Sequence, residues 1–173
     1  PNSTILYDLR SSRATKEVIE EAGGVAAMSK VGHSNIKAQM RTDGAIFAGE
    51  LSGHFYFTPS YAESGLGALG FIIKLLKESG KSLSEVVAPI MRYAKTAEIN
   101  FEVKDTEAVL RRLREIYADA KTLELDGVSI LYPQWWANIR ASNTEPLLRL
   151  NMEADTPELL ATKRQEIEAL IAG

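Results

Sequence analysis

Three short apolar runs, separated by segments with helical spacing, dominate the first half of the chain. Residues 4–7, 25–28 and 45–48 have the composition of strands that a parallel sheet buries on both faces. The first intervening segment ends at Gly23-Gly24, and Ser34 is a candidate N-cap for the second. This strand-helix-strand-helix-strand order predicts a mainly parallel, helix-covered sheet with right-handed crossovers.

A longer amphipathic pattern follows the third strand. Residues 55–57 are a candidate short strand, and residues 64–79 carry apolar positions at helical spacing. Gly80 then ends the predicted helix. The apolar stripe of this helix, which we expect to face the core, consists of Leu66, Leu69, Ile73 and Leu76.

The second half of the chain has the pattern of an antiparallel sheet with helices on one face. Residues 99–103 alternate apolar and polar positions, as a half-buried strand does, and residues 135–140 and 148–154 are further candidate strands with apolar residues at alternate positions. Asp126-Gly127 predicts a two-residue hairpin turn that sets Leu123 opposite Ile130. We therefore predict two domains of α/β plus α+β class. A βαβ three-layer domain spans residues 1–92, and a smaller antiparallel-sheet-and-helix domain spans residues 93–173.

The polar loop that follows the third strand, residues 49–54, is a candidate sugar site. The carboxylate of Glu50 is flanked by hydrogen-bonding groups on Ser52 and His54, and such a set can grip a pair of equatorial sugar hydroxyls. The alternative interpretation is a strand-end turn in which Gly53 supplies an unusual φ angle.

Polar residues also end the two other predicted strands. Asp8 and Arg10 follow the first strand, and His33 follows the second. Ligands bind at the carboxyl ends of the strands in such sheets, so we expect these residues to converge with the loop at residues 49–54.

The loop at residues 140–146 is a candidate phosphate site. The guanidinium fork of Arg140 matches two phosphate oxygens, and Ser142, Asn143 and Thr144 can donate to the others. The alternative is a polar loop whose side chains only cap a turn.

Composition excludes several classes of function. The 173 residues contain no cysteine, which rules out thiol catalysis and disulfides within this chain. The net charge is -3 and no basic run is present, so we expect no nucleic-acid partner. No apolar run is long enough to span a bilayer, so we expect no membrane partner, and a cytoplasmic location fits.

Four motifs together resemble the α-D-phosphohexomutase family, in its phosphomannomutase/phosphoglucomutase branch. They are the loops at residues 49–54 and 140–146, Gly32-His33-Ser34 with Lys37, and the strand end Asp8-Leu9-Arg10. The resemblance covers the whole chain but only the C-terminal half of the family's four-domain architecture. It implies that residues 1–92 are domain three and residues 93–173 are domain four, and that the chain is a piece of a longer protein.

This resemblance implies an isomerase that interconverts hexose 1-phosphate and hexose 6-phosphate of mannose or glucose. A phosphoserine donates its phosphoryl group, and hexose 1,6-bisphosphate is the intermediate and activator. The serine and the Mg²⁺ site belong to N-terminal domains that this chain does not contain, so we expect the chain alone to be inactive. The alternative is a non-catalytic protein that binds or senses sugar phosphates.

The resemblance also assigns roles to individual residues. His33 and Arg10 are candidate helpers near the reaction centre, although Arg10 stands where the hexose branch commonly has Lys. The sugar hydroxyls are assigned to Glu50, Ser52 and His54, and the non-reacting phosphate to Arg140, Ser142, Asn143 and Thr144.

Overall fold

The computed structural model describes residues 1–142 and 145–173, and the chain divides into two compact units, Pro1–Arg92 and Tyr93–Gly173. Among the described residues, no helix combines the length and the apolar character needed to cross a membrane. The elements of the first unit, in chain order, are β1 (Thr4–Asp8), α1 (Arg13–Glu21), β2 (Val25–Ser29), α2 (His33–Asp43), β3 (Phe47–Gly49), β4 (Phe55–Phe57), β5 (Ala62–Glu63), α3 (Gly65–Ser79), α4 (Leu83–Val87) and a 3-10 turn (Ala88–Ile90).

The sheet of the first unit has the order β2-β1-β3-β4-β5. β1 is parallel to β2 and β3, whereas the β3-β4 and β4-β5 pairs are antiparallel. The expected α/β fold is therefore present, but the sheet is mixed and not mainly parallel. The reason is the short loop after β3, which returns the chain as a hairpin where a crossover helix would have kept it parallel.

Alternate strand positions build the core of this unit. Leu6, Ala48 and Tyr56 are buried on one face of the sheet, where they pack with Ile36 and Met40 of α2. The period of two along each strand and the helical spacing of α2 are sufficient to produce this layer.

The expectation for α3 is wrong. Leu66 is 84% exposed, Leu69 50% and Ile73 56%, and Ala68 is the only buried position on the helix. The helix is nonetheless well defined by its ends, because the Ser64 hydroxyl accepts a hydrogen bond from the N–H of Gly67. Apolar residues surround most of α3, so their spacing could not identify one inward face.

The second unit contains an antiparallel sheet of order β6-β11-β10-β9-β8, with β7 also paired to β11. Its apolar face packs against two helices, as the alternation predicted: Ala137 and Ile139 from one strand join Leu150 and Met152 from the next. The elements are β6 (Ala94–Lys95), β7 (Ile99–Glu102), α5 (Thr106–Ile116), β8 (Lys121–Leu123), β9 (Val128–Leu131), β10 (Trp135–Ala141), β11 (Leu147–Ala154) and α6 (Pro157–Ala172).

The predicted two-residue hairpin at Asp126-Gly127 is wrong. Leu123 pairs with Ser129, not with Ile130, and four residues connect β8 to β9. The glycine serves a different purpose, because its φ angle is +69° and a Cβ atom there would collide with the Ile139 carbonyl oxygen. The loop is therefore shaped by its approach to β10.

This close approach makes Gly127→Ala a strongly destabilising change. The substitution combines a left-handed backbone with a collision 2.6 Å from the Cα atom of Arg140, so we expect a loss of about 3 kcal/mol or more. Gly80→Ala is the control, since its φ angle is +65° but no atom lies within 4 Å of the added Cβ; we expect a loss of about 1 kcal/mol. Urea denaturation followed by circular dichroism compares the two variants, and equal losses would contradict the collision.

Candidate functional site

In the first unit, a buried ion pair joins the end of β1 to the loop that follows β3. The Arg10 guanidinium donates two hydrogen bonds to Asp8 Oδ2, at 2.6 and 3.1 Å, and both side chains are buried. The same Oδ2 atom accepts a hydrogen bond of 3.0 Å from the backbone N–H of Leu51. Asp8 therefore fixes both the arginine and the neighbouring loop.

Glu50 is the acidic centre of this edge. Its Oε2 atom lies 3.7 Å from Arg10, and its Oε1 atom accepts a 2.5 Å hydrogen bond from the Tyr56 hydroxyl. Burial, reinforced by this hydrogen bond, raises the pKa of Tyr56 well above its ordinary value, so the tyrosine remains a donor. The carboxylate is thus oriented by Arg10, which follows β1, and by Tyr56, which lies in the middle of β4.

Ser52 and His54 lie beside Glu50 on the loop between β3 and β4. Both are exposed. Two backbone hydrogen bonds close the loop: the N–H of Glu50 donates to the carbonyl of His54, and the N–H of Gly53 donates to the carbonyl of Glu50. Gly53 adopts a φ angle of +84°, as the turn requires. His54 Nδ1 is 2.7 Å from Glu63 Oε1, and this hydrogen bond raises the pKa of His54.

His33 follows β2 at the same carboxyl edge of the sheet. It is the exposed first residue of α2. The expectation that Ser34 caps α2 is wrong, because the helix already begins at His33 and its N-cap is Gly32, with no side-chain cap. The φ angle of +110° at Gly32 allows this tight entry.

In the second unit, Arg140 is not displayed to solvent but is only 2% exposed. Its Nη2 atom donates to Glu98 Oε2 at 3.1 Å, and the same oxygen accepts a 3.0 Å hydrogen bond from Asn151. Glu98 Oε1 lies 3.5 Å from Arg149, the residue directly opposite Arg140 in the strand pairing. One carboxylate therefore bridges two neighbouring guanidinium groups.

The surroundings of Arg140 retain unused polar atoms. The Nε atoms of Arg140 and Arg149 and the Oδ1 atom of Asn151 are buried and have no hydrogen-bond partner among the described residues. Arg149 also pairs with Glu145 at 2.8 Å. Unpaired buried donors are uncommon in folded proteins and mark a place where a polar ligand or water fits.

The remaining predicted phosphate residues are only partly described. The backbone N–H of Ser142 donates to the carbonyl of Leu147, which closes the connection between β10 and β11. Asn143 and Thr144 lie outside the described residues.

Sequence reasoning missed Tyr56, Glu63 and Glu98. It also gave no role to Arg149, whose guanidinium shares the Glu98 carboxylate with that of Arg140. One signal was available: a buried arginine requires a carboxylate partner, so an acidic residue bordering a strand of the same sheet was a candidate.

A metal fits none of the residues found at these positions. In the described part of the chain, no group of three or more His, Cys, Asp or Glu side chains is arranged to hold a metal ion. Any magnesium chemistry would therefore need ligands other than the clusters above.

Each unit carries neighbouring carboxylate and guanidinium groups at strand ends. Such groups are suited to binding a polyhydroxylated anion. Comparison with known families is more specific. The family model for phosphoglucomutase/phosphomannomutase, alpha/beta/alpha domain III, matches residues 1–93, and the model for the phosphoglucomutase/phosphomannomutase C-terminal domain matches residues 98–170. The chain belongs to the phosphoglucomutase/phosphomannomutase family.

Individual relatives agree with this assignment. The chain is 49% identical over 172 residues to a phosphomannomutase of Methanocaldococcus jannaschii, covering 99% of this chain and 38% of the relative. A crystal structure of a phosphoglucomutase/phosphomannomutase family protein from Burkholderia thailandensis superimposes with a TM-score of 0.82 at 29% identity, covering 98% of this chain and 37% of that one. The chain thus spans less than half the length of these relatives.

A more distant structure shares the fold alone. N-acetylphosphoglucosamine mutase of Aspergillus fumigatus, crystallised in complex with GlcNAc-6P and magnesium, has a TM-score of 0.67 at 12% identity, covering 98% of this chain and 38% of that one.

The bridging role of Glu98 predicts a stability effect. Glu98→Gln removes the charge that neutralises two guanidinium groups, so we expect the unfolding free energy of the second unit to fall by about 1–3 kcal/mol. Glu102→Gln, on the exposed face of β7, is the matched control and should change it by less than about 0.5 kcal/mol. Both tryptophans lie in this unit, so their fluorescence during urea denaturation reports the change. A loss no larger than that of the control would contradict the bridge.

The His54–Glu63 pair predicts a raised pKa that nuclear magnetic resonance can measure. We expect the folded-state pKa of His54 to lie above the ordinary value of about 6.5 and to fall in Glu63→Gln, whereas Glu78→Gln leaves it unchanged. Because the folded pKa is raised, the pair stabilises the loop fully below the unfolded pKa and loses its effect as pH rises through the folded pKa. The same His54 pKa in wild type and Glu63→Gln would refute the pairing.

Proposed function

We propose that this chain is the sugar-phosphate-binding C-terminal half of a phosphomannomutase/phosphoglucomutase. The whole protein would interconvert hexose 1-phosphate and hexose 6-phosphate through a phosphoserine and a hexose 1,6-bisphosphate intermediate. The observation that carries the proposal is the match of both family models, in order, in a chain that spans 38% of a phosphomannomutase. The serine and the magnesium site would lie in the part of the protein that precedes this chain.

The first unit, residues 1–92, is proposed to recognise the sugar. Glu50 lies beside Arg10 and is oriented by Tyr56, so its carboxylate can accept hydrogen bonds from two hydroxyl groups. Ser52 and His54 are exposed on the same short loop, where they can add donors or acceptors. A carboxylate flanked in this way can bind a pair of hydroxyls that has a similar arrangement in both orientations of a hexose. The proposed reaction requires this, because its substrate must bind in two orientations.

The second unit, residues 93–173, is proposed to hold the phosphate that does not react. Arg140 supplies the guanidinium group, and Arg149 supplies a second one next to it. The buried Nε atoms of both arginines lack a partner in the part of the chain that the structure describes, and a phosphate oxygen is the strong acceptor that such donors favour. The proposed phosphate contacts from this loop are Arg140, Ser142, Asn143 and Thr144.

Charge around these arginines is balanced and not broadly positive. Arg140 and Arg149 face two carboxylates, those of Glu98 and Glu145. Directed hydrogen bonds would therefore carry the specificity for phosphate, and the unit as a whole would attract anions weakly. This suits a positioning role, since phosphoryl transfer depends chiefly on alignment and on local charge stabilisation. His33 and Arg10 are proposed helpers at the sugar end.

The proposal is tested with the full-length protein that contains this chain. We expect it to convert mannose 1-phosphate or glucose 1-phosphate to the 6-phosphate. Arg140→Lys keeps the positive charge but removes the planar guanidinium group that can donate two hydrogen bonds to a phosphate. We therefore expect the affinity for glucose 1,6-bisphosphate, measured by calorimetry, to fall at least tenfold, which is equivalent to about 1.4 kcal/mol. Arg112→Lys, at an exposed position on α5, is the matched control and should leave affinity unchanged.

The outcomes separate the two functions considered. Turnover with the expected loss in Arg140→Lys supports the mutase. Tight binding of hexose phosphates without turnover would instead favour the non-catalytic sugar-phosphate sensor. Neither binding nor turnover by the full-length protein would refute both.

A further inference from the structure

α3 presents an apolar surface that the described residues leave uncovered. Its charged residues are confined to the last six positions, and its remaining residues are almost all apolar or glycine. A helix that is hydrophobic all round is normally buried. Six of its large apolar side chains are nevertheless at least 39% exposed: Leu66, Leu69, Phe71, Ile72, Ile73 and Leu75.

An aromatic groove of about 520 Å³ continues this surface beside α3. The rings of Phe57 and Phe71 stack with their centroids 5.6 Å apart, which joins the helix to the sheet at the groove. Among the described lining side chains only Thr58 carries a polar atom, whereas small-molecule sites usually contain several convergent polar groups. The rest of the lining is formed by Ile46, Phe47, Phe55, Ala68 and Ile72.

A membrane is a poor occupant for this surface. α3 has 15 residues, so it is about 22 Å long, which is short of the ~30 Å hydrocarbon core of a bilayer. An apolar patch of this extent on a protein surface is typical of a protein-protein contact.

The relatives indicate which protein surface is available. They match this chain over nearly its whole length, yet the chain accounts for only 37–38% of theirs. The matching models are domain III and the C-terminal domain, so most of the additional length in those relatives comes before the matched region. In these relatives a long segment therefore precedes the region that matches the first unit.

We infer that α3 and the adjoining aromatic groove form a docking surface for the polypeptide that precedes this chain in the full-length protein. The inference rests on the proposed function, because that function requires the longer protein. The partner surface is an apolar face of the preceding segment, which covers the six exposed side chains of α3 and inserts into the groove. The helix then lies at an internal interface of the full-length protein. Burial at that interface explains why apolar residues surround most of the helix.

Hydrogen exchange tests this surface directly. In the full-length protein we expect the amides of α3 to exchange at least tenfold more slowly than in the 173-residue chain at the same low concentration. The amides of α6, which packs on the core of its own unit, should exchange equally in both and serve as the internal control. Equal exchange of α3 in the two proteins overturns the inference. Protection of α3 that disappears on dilution of the full-length protein also overturns it, since a second copy would then be the occupant.

A matched pair of variants identifies the contact within the full-length protein. Ile73→Asp introduces a charge on α3 at a position exposed in this chain, so we expect it to restore fast exchange of α3. Ile116→Asp makes the same chemical change at a comparably exposed position on α5 and should leave α3 protected. Protection of α3 that survives Ile73→Asp overturns the inference.

Mutase activity of the wild-type protein keeps this inference separate from the proposed function. A full-length protein with activity but an unprotected α3 refutes only the docking surface. Protection of α3 without activity supports the docking surface and counts against the mutase.

Discussion

Both candidate centres depend on a buried guanidinium group that must keep a carboxylate beside it. Arg10 pairs with Asp8 in the first unit, and Arg140 pairs with Glu98 in the second. Removing one partner from a fully buried pair leaves an uncompensated charge, which costs about 3–5 kcal/mol, and the cost is smaller where the carboxylate is partly exposed, as that of Glu98 is. The carboxylates are therefore as much a part of each centre as the arginines, although they are not themselves candidate ligands for an anion.

This constraint explains how rigid strands hold the two sites. Asp8 is the last residue of β1, and its Oδ2 atom accepts hydrogen bonds both from the Arg10 guanidinium and from the backbone N–H of Leu51, so the loop after β3 shares one anchor with Arg10. Arg140 and Arg149 sit opposite one another on paired strands, and Glu98 spans both. Groups carried by paired strands keep their separations better than groups on free loops, which favours precise recognition of a phosphate.

Local patterns in the sequence predicted much of this arrangement. They did not predict ion pairs between residues that are far apart in the chain. Alternation along β10 and β11 identified their buried faces, because the period of two is a property of each strand alone. The Arg140–Glu98 pair could not be found in this way. Its members are 42 residues apart, and fourteen acidic residues lie in the second unit, so only the pairing of β7 with β11 selects Glu98.

Two local predictions failed because packing outweighed them. The Asp126-Gly127 signal indicated a tight turn, yet the glycine is needed for the close approach to β10. The stripe predicted on α3 did not select one inward face, because apolar residues surround most of the helix. In both cases the deciding neighbour is remote in sequence, and for α3 we infer that it belongs to a different part of the protein.

We propose that Glu50 in the first unit binds sugar hydroxyls and that Arg140 in the second unit binds the phosphate that does not react. A crystal structure of the full-length protein with glucose 1,6-bisphosphate is the test of both assignments. We expect one phosphate within hydrogen-bonding distance of Arg140 and sugar hydroxyls within hydrogen-bonding distance of the Glu50 carboxylate. A bisphosphate bound with both phosphates away from Arg140, while Glu98 still pairs with that arginine, would contradict it.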